Sequence, residues 1–227
     1  MTVSAGFYKK IREWVVGTTG EMDFRPFQVN GNPYKSRVFI VGANATPKVE
    51  SATTSENIFI ESLVYGDLFE ELYGYQFVKQ SREYSGTLNF AKWLSEELNE
   101  NAVITYINAL QANSAQELKQ LKKQMPDDYE KGQRIFKEVV HEFQPDIIIL
   151  HGTQALQQFR LLFEQELQDH HPSIDKVQDL EEIGVFAEVQ LTDEHKVQVL
   201  ACRSMGYYGK EGKVFANFKE RIREIVV

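Results

Sequence analysis

The sequence contains a single cysteine, Cys202, among its 227 residues. One thiol cannot form an intramolecular disulfide, and one copy of the chain cannot supply a four-thiolate metal site. The five histidines show no spacing typical of metal ligands. The sequence therefore predicts no metal site, and its low thiol content fits a reducing compartment.

Long apolar runs and an excess of basic residues are also missing. No segment approaches the roughly 20 apolar residues needed to cross a bilayer, and residues 1–10 lack the uninterrupted apolar stretch of a signal peptide. Lysine and arginine total 25 against 33 aspartate and glutamate residues, a formal net charge of −8. That balance opposes attraction to nucleic acid unless a local basic patch supplies it. We expect a cytoplasmic protein with no membrane partner, and its oligomeric state stays open.

Glycine-rich phosphate loops are absent as well. Gly42 and Gly152 each stand alone after an apolar run, so neither a P-loop nor a dinucleotide-binding motif can be assembled around them. The sequence gives no support for hydrolysis of a nucleoside triphosphate.

The sequence does contain apolar runs that alternate with helix-length segments. The runs fall at residues 37–42, 102–107, 146–150 and 196–202, with a weaker one at 184–191. Helical patterns occupy residues 58–72, 88–98, 129–143, 153–167 and 214–225, whereas the polar residues 113–128 indicate a surface excursion. This alternation predicts one α/β domain over residues 1–227, with its core at about 37–225. We expect a three-layer α/β/α fold with a mainly parallel, four- or five-stranded central sheet.

Small and polar residues follow the first two predicted strands. In open α/β sheets, ligands bind outside the carboxyl ends of the strands. Gly42 and Ala43 are small enough to let the backbone approach a ligand, and Asn44 offers a donor and an acceptor. Asn108 presents a second amide that can contact the polar edge of a heterocycle. The sequence therefore predicts a ligand pocket at this edge of the sheet.

The third and fourth strands also end in polar residues. His151 closes the third run, and Thr153 is suited to cap the next helix and leave backbone N–H groups for an anion. The fourth run is followed by Arg203, Ser204 and Lys210, which suit contacts to phosphate groups.

Each of these residues also has an ordinary structural interpretation. An asparagine at a strand end is commonly a cap or turn former. His151 has two interpretations, a hydrogen-bonded structural histidine and a catalytic one. Phe59 belongs to an aromatic cluster that, at helical spacing, is mostly core, although one ring beside Asn44 could stack on a base.

Taken in order, the four strand ends resemble the motifs of the uracil-DNA glycosylase superfamily, over roughly residues 37–225. Gly42-Ala43-Asn44 looks like the first motif of this family. The resemblance implies that Asn44 positions the attacking water. Asn108 resembles the asparagine that hydrogen-bonds the edge of a flipped base. Residues 147–155 resemble an apolar strand followed by glycine-x-x-alanine and a helix, which is mainly architectural.

The sequence departs from this family at two motifs. The fourth motif is expected to supply histidine-proline-serine or asparagine-proline-serine, and only Ser204 matches. Ala45 stands where a proline is expected after the asparagine. These departures matter because the departing base anion must be stabilised by preorganised donors, although Arg203 can substitute as a cation.

Two functions follow from the resemblance. The first is an N-glycosyl hydrolase that acts on a damaged or mismatched base in DNA, with His151 and Ser204 as further catalytic candidates and no cofactor. The second is a catalytically degenerate module that binds a nucleobase, a nucleotide or nucleic acid. A protein-interaction domain that makes no use of the pocket is a third possibility.

Overall fold

A computed structural model describes residues 4–18, 20–49 and 54–226. Its centre is a seven-stranded sheet with the strand order β1-β3-β2-β4-β7-β6-β5. The strands are β1 Phe27–Gln28, β2 Val38–Ala45, β3 Ala102–Gln111, β4 Ile147–His151, β5 Leu167–Asp169, β6 Val185–Thr192 and β7 His195–Cys202.

Four neighbouring strands, β3, β2, β4 and β7, run parallel to one another. Strand β1 pairs antiparallel with β3, and β6 and β5 extend the other edge through antiparallel pairs. The predicted α/β class with a parallel centre is confirmed. The predicted count of four or five strands is wrong, and the sheet is mixed rather than mainly parallel. Strands β1 and β5 have two and three residues, too few to show an apolar periodicity.

The helices connect these strands and several begin at serine caps. Ser55, Ser81 and Ser114 each accept a hydrogen bond from a backbone N–H three residues further on. The helices are α1 Ala5–Val15, α2 Glu56–Val64, α3 Gly66–Phe69, α4 Tyr75–Gln80, α5 Arg82–Leu98, α6 Ala115–Gln124, α7 Pro126–Phe143, α8 Thr153–Leu162, α9 Val177–Ile183 and α10 Ala216–Val226, with a π-helical turn at Glu70–Gly74.

Two sequence predictions about helices are corrected here. The segment 58–72 is not one helix, because Tyr65 leaves the helical conformation between α2 and α3. Residues 113–128 lie mostly at the surface, as expected, but this excursion is helical, because Ser114 caps α6 and Pro126 occupies the first position of α7.

Helices pack on both faces of the sheet. Phe39 and Val41 of β2 belong to a core shared with the apolar stripe of α7 and with α8. Val38 and Ile40, which alternate with them, belong to a second core shared with α5 and α10. Strands buried on both faces are continuously apolar, which explains the uninterrupted runs in the sequence.

The direction of the connections places a crevice between β2 and β4. From β2 the chain crosses to β3 on one side, through α5 and the second core; from β3 it returns to β4 on the other side, through α7 and the first core. Adjacent parallel strands whose connections leave in opposite directions form a topological switch point, where α/β proteins bind ligands. None of the helices in the described parts of the chain is long and apolar enough to cross a membrane.

Candidate functional site

A cavity of about 290 Å³ opens at the carboxyl ends of β2 and β4. We call it the switch-point cavity, and its polar lining includes Asn44, Thr46, Glu83, His151 and residues 152–155. A cavity of about 360 Å³ lies between α3 and α5, where Asp67 and Glu70 line it, but it is at the opposite end of β3. The switch-point cavity is the candidate site because two buried polar atoms on its wall, Asn44 Oδ1 and His151 Nδ1, have no hydrogen-bond partner among the described residues.

Asn44 lies near the end of β2 and is 9 % exposed. Its Oδ1 atom is buried and makes no hydrogen bond with any described residue. Ala43, beside it, also lines the cavity. The structure therefore places two residues of the predicted first motif, Ala43 and Asn44, at the cavity wall.

Asn108 is the register partner of Asn44 on β3, yet its amide is fully engaged within the protein. The side chain is fully buried, its Nδ2 donates to Tyr129 O at 3.0 Å, and its Oδ1 accepts from Leu110 N at 3.0 Å. Tyr129 belongs to α7, and Asn108 does not line the cavity. The sequence predicts that Asn108 shares a ligand pocket with Asn44; in the structure the Asn108 amide instead bonds α7 and holds this helix against the sheet.

His151 ends β4 at the cavity and is 3 % exposed. Its Nδ1 is buried without a hydrogen-bond partner among the described residues and lies 3.8 Å from Glu83 Oε1. Burial lowers the pKa of His151 below its usual 6.5, and the Glu83 charge opposes that shift only in part. The imidazole is therefore neutral at pH 7.

Gly42 gives His151 the room it occupies. A Cβ atom on Gly42 would lie 3.0 Å from His151 Nε2 and 3.2 Å from Tyr106 Cδ1. The glycine acts through close packing behind the imidazole, and it does not line the cavity.

Glu83 is a residue of the site that the sequence prediction missed. It is the second residue of α5, and Ser204, from the loop after β7, donates from its Oγ to Glu83 Oε2 at 2.8 Å. An acidic residue in the first turn of a helix is ordinary, since it complements the helix dipole. Nothing in the local sequence therefore marks Glu83 as part of a site.

The amino end of α8 completes this wall. Gly152 has φ of +87°, a conformation that glycine adopts readily, and no side chain caps the helix. The first backbone N–H groups of a helix have no intrahelical partner and carry a partial positive charge. A Cβ atom on Gly152 would lie 3.8 Å from Ser204 Cβ, which places Ser204 and the Glu83 carboxylate beside this helix end.

Three other predicted residues are not brought to the cavity. Phe59 is fully buried in the first core, edge-on to Tyr73, so its ring is not available to stack on a ligand. Arg203 bonds Glu181 of α9 through its Nε and its backbone N–H, both at 3.0 Å. Lys210 lines a separate open depression beside Tyr207. The expected phosphate contacts from Arg203 and Lys210 therefore lie outside this site.

The described residues contain no cluster of three or more histidine, cysteine, aspartate or glutamate side chains that could hold a metal ion. The cavity instead combines an amide, a neutral imidazole, a carboxylate and a helix amino end. Such a set can form hydrogen bonds of both polarities with a small, planar, polar molecule.

No protein-family model matches this sequence, and no curated protein matches it.

Proposed function

We propose that this protein recognises a nucleobase in the switch-point cavity and that Asn44 contacts it. The observation that carries the proposal is the buried Asn44 Oδ1, which lines the cavity without a hydrogen-bond partner among the described residues. A buried polar group without a partner costs about 1–3 kcal/mol. A ligand that donates a hydrogen bond to Asn44 recovers that free energy on binding.

The size and surroundings of the cavity agree with one heterocycle. Its volume of about 290 Å³ is at the small end of the range, roughly 300–1,000 Å³, that is usual for ligand sites. Helices on both faces of a parallel centre support the three-layer, uracil-DNA glycosylase-like arrangement, which forms part of the proposal. Among the described residues that line the cavity, the one charged side chain is the carboxylate of Glu83, which favours a base over a phosphate chain.

Titration calorimetry with free nucleosides tests the proposal. We expect at least one nucleoside to bind the wild-type protein and Asn44→Ala to weaken that binding roughly three- to tenfold, the usual effect of one hydrogen bond. Asn217→Ala, an exposed asparagine on α10, is the matched control and leaves binding unchanged. Failure of every nucleoside to bind the wild type would refute the proposal, as would unaltered affinity in Asn44→Ala.

A second candidate function is hydrolysis of the N-glycosidic bond, and the neutral His151 favours it. A water oxygen would bond to the sugar C1′ while the C1′–N bond breaks and its electron pair leaves with the base nitrogen. The proton lost by water would pass to His151 Nδ1, and from there to the base. Asn44 would hold the water, as the family resemblance implies.

A base-release assay on uracil- and mismatch-containing oligonucleotides separates the two functions. Release that is lost in both Asn44→Ala and His151→Gln supports hydrolysis. Nucleoside binding without any base release selects recognition alone.

A further inference from the structure

We infer that Glu83 selects a nucleobase edge with two adjacent N–H donors, as guanine has, over an edge dominated by carbonyl groups, as uracil has. This inference rests on the proposed function and assigns the class of base that the cavity takes.

The carboxylate of Glu83 is held at the cavity from one side only. Ser204 Oγ fixes Oε2 at 2.8 Å, whereas Oε1 is 3.8 Å from His151 Nδ1, beyond hydrogen-bond distance. The side chain lines the cavity and is 46 % exposed. An ionised carboxylate only accepts hydrogen bonds, so its remaining lone pairs require a donor from solvent or from a ligand.

No lysine or arginine side-chain nitrogen of the described chain lies within 4.0 Å of the Glu83 carboxylate oxygens; the one ion-pair contact of this carboxylate is with His151, whose imidazole is neutral. The amino end of α8, which carries partial positive charge, lies beside Ser204, the residue whose hydroxyl binds this carboxylate. The cavity therefore keeps a negative, acceptor-only group on its wall.

Other groups on the cavity wall add a second hydrogen-bond acceptor and a set of backbone donors. Asn44 Oδ1 is a second acceptor without a partner in the described residues, and the first turn of α8 offers backbone N–H donors to a carbonyl oxygen. Guanine presents N1–H and an exocyclic amino group next to its O6 carbonyl, which matches a carboxylate beside N–H donors. Uracil places a single N–H between two carbonyl oxygens, so a bidentate contact would bring a carbonyl against the carboxylate. Two parallel bonds to one carboxylate add specificity as well as strength.

The ordinary role of Glu83, complementing the dipole of α5, accounts for an acidic residue at this helical position. It does not account for the hydroxyl from a loop 121 residues away, nor for the position of the carboxylate on the cavity wall.

Guanosine and inosine form a matched pair of probes because they differ only by the 2-amino group. We expect wild-type protein to bind guanosine about tenfold or more tightly than inosine, the discrimination typical of a bidentate contact, with uridine weaker than guanosine. Glu83→Gln should reduce the guanosine preference to less than twofold, because the carboxamide replaces one acceptor by a donor. Ser204→Ala should reduce it in part, because the hydroxyl positions the carboxylate.

Glu96→Gln is the control, since Glu96 lies on the same helix, is exposed and pairs with Lys92. It should keep the wild-type preference, and urea unfolding of each variant verifies that it is folded. Nucleoside binding without a preference for guanosine overturns this inference and leaves the proposed function standing. A preference that persists in Glu83→Gln also overturns it. If no nucleoside binds, the proposed function fails and this inference with it.

Discussion

Ser204 Oγ donates a 2.8 Å hydrogen bond to Glu83 Oε2, which joins the loop after β7 to the start of α5. The same loop packs beside Gly152, at the amino end of α8. One hydroxyl therefore holds a carboxylate where β4 ends, next to His151. Three segments that are distant in the sequence therefore meet here: the start of α5, the amino end of α8 and the loop after β7.

Asn108→Ala is expected to lower stability without changing ligand affinity. The substitution leaves the buried Leu110 N without its side-chain acceptor and removes the bond to Tyr129 O, which has its intrahelical donor within α7, so we expect a loss of about 1–3 kcal/mol. Urea denaturation measures the loss, with Asn217→Ala as the control. A stable Asn108→Ala protein with weakened nucleoside binding would return Asn108 to the role that the family resemblance implies.

The protein should lose stability as the pH falls below about 6.5, through His151. Burial lowers the pKa of His151 in the folded state. As the pH falls, the unfolded chain therefore binds a proton at this histidine before the folded chain does. This contribution is fully present above the unfolded pKa and is lost as the pH falls towards the folded pKa, with a slope of at most about 1.4 kcal/mol per pH unit.

Urea unfolding at pH 7.5 and 5.5 measures this dependence. The difference in stability between the two pH values should be smaller in His151→Gln than in the wild type, whatever the absolute stability of the variant. The exposed His141 supplies the control variant His141→Gln, which should follow the wild type. Equal pH dependence in the wild type and in His151→Gln would contradict the prediction.

Gly86→Ala should destabilise the contact between α5 and the turn at Met205–Tyr207. A Cβ atom at Gly86 would lie 1.8 Å from Met205 O, so the backbone of one element must move. Overpacking of this kind costs about 1–3 kcal/mol or more. In Gly6→Ala, by contrast, the nearest atom would lie 4.0 Å away, and thermal unfolding should show little change. A Gly86→Ala protein as stable as Gly6→Ala would contradict the packing described here.

Arg25→Lys should be less stable than Arg25→Met. Arg25 is fully buried, its guanidinium donates to Thr46 O at 3.1 Å, and its Cζ lies 4.7 Å from the Phe77 ring centre. Its Nε and Nη1 have no hydrogen-bond partner among the described residues. An ammonium group is hydrated more strongly and stacks less well, whereas methionine removes the charge, so we expect a difference of about 1–3 kcal/mol. Chemical denaturation of the two variants gives the sign directly, and a more stable lysine variant would contradict it.

The sequence predicted the centre of the sheet because its strands are buried on both faces. Continuous apolar runs reveal β2, β3 and β4, β7 begins with alternation and becomes apolar towards its end, and β6 was predicted as a weaker strand within one residue of its bounds. The short edge strands β1 and β5 carry no such pattern, so the sequence did not reveal them. Their pairing depends on the strands beside them.

At the site, Asn44 and His151 were predicted to lie near each other because each stands at the carboxyl end of a predicted strand. Parallel strands end at one edge of the sheet. The sequence did not predict where the Asn108 side chain points. The register between β2 and β3 shifts just after Asn44, from Asn44 opposite Asn108 to Ala45 opposite Gln111. Simple alternation of side chains cannot be extended across such an irregularity.

Local patterns of apolar residues thus determined the α/β class, the parallel centre and the edge of the sheet where Asn44 and His151 lie. Only the tertiary structure decided which polar groups meet there. The Glu83 carboxylate is held at the cavity by the hydroxyl of Ser204, which is distant in the sequence. The Asn108 amide is instead hydrogen-bonded to α7. Burial and hydrogen bonding between distant segments fix the directions in which these side chains point. The periodicity of a single segment does not predict such contacts.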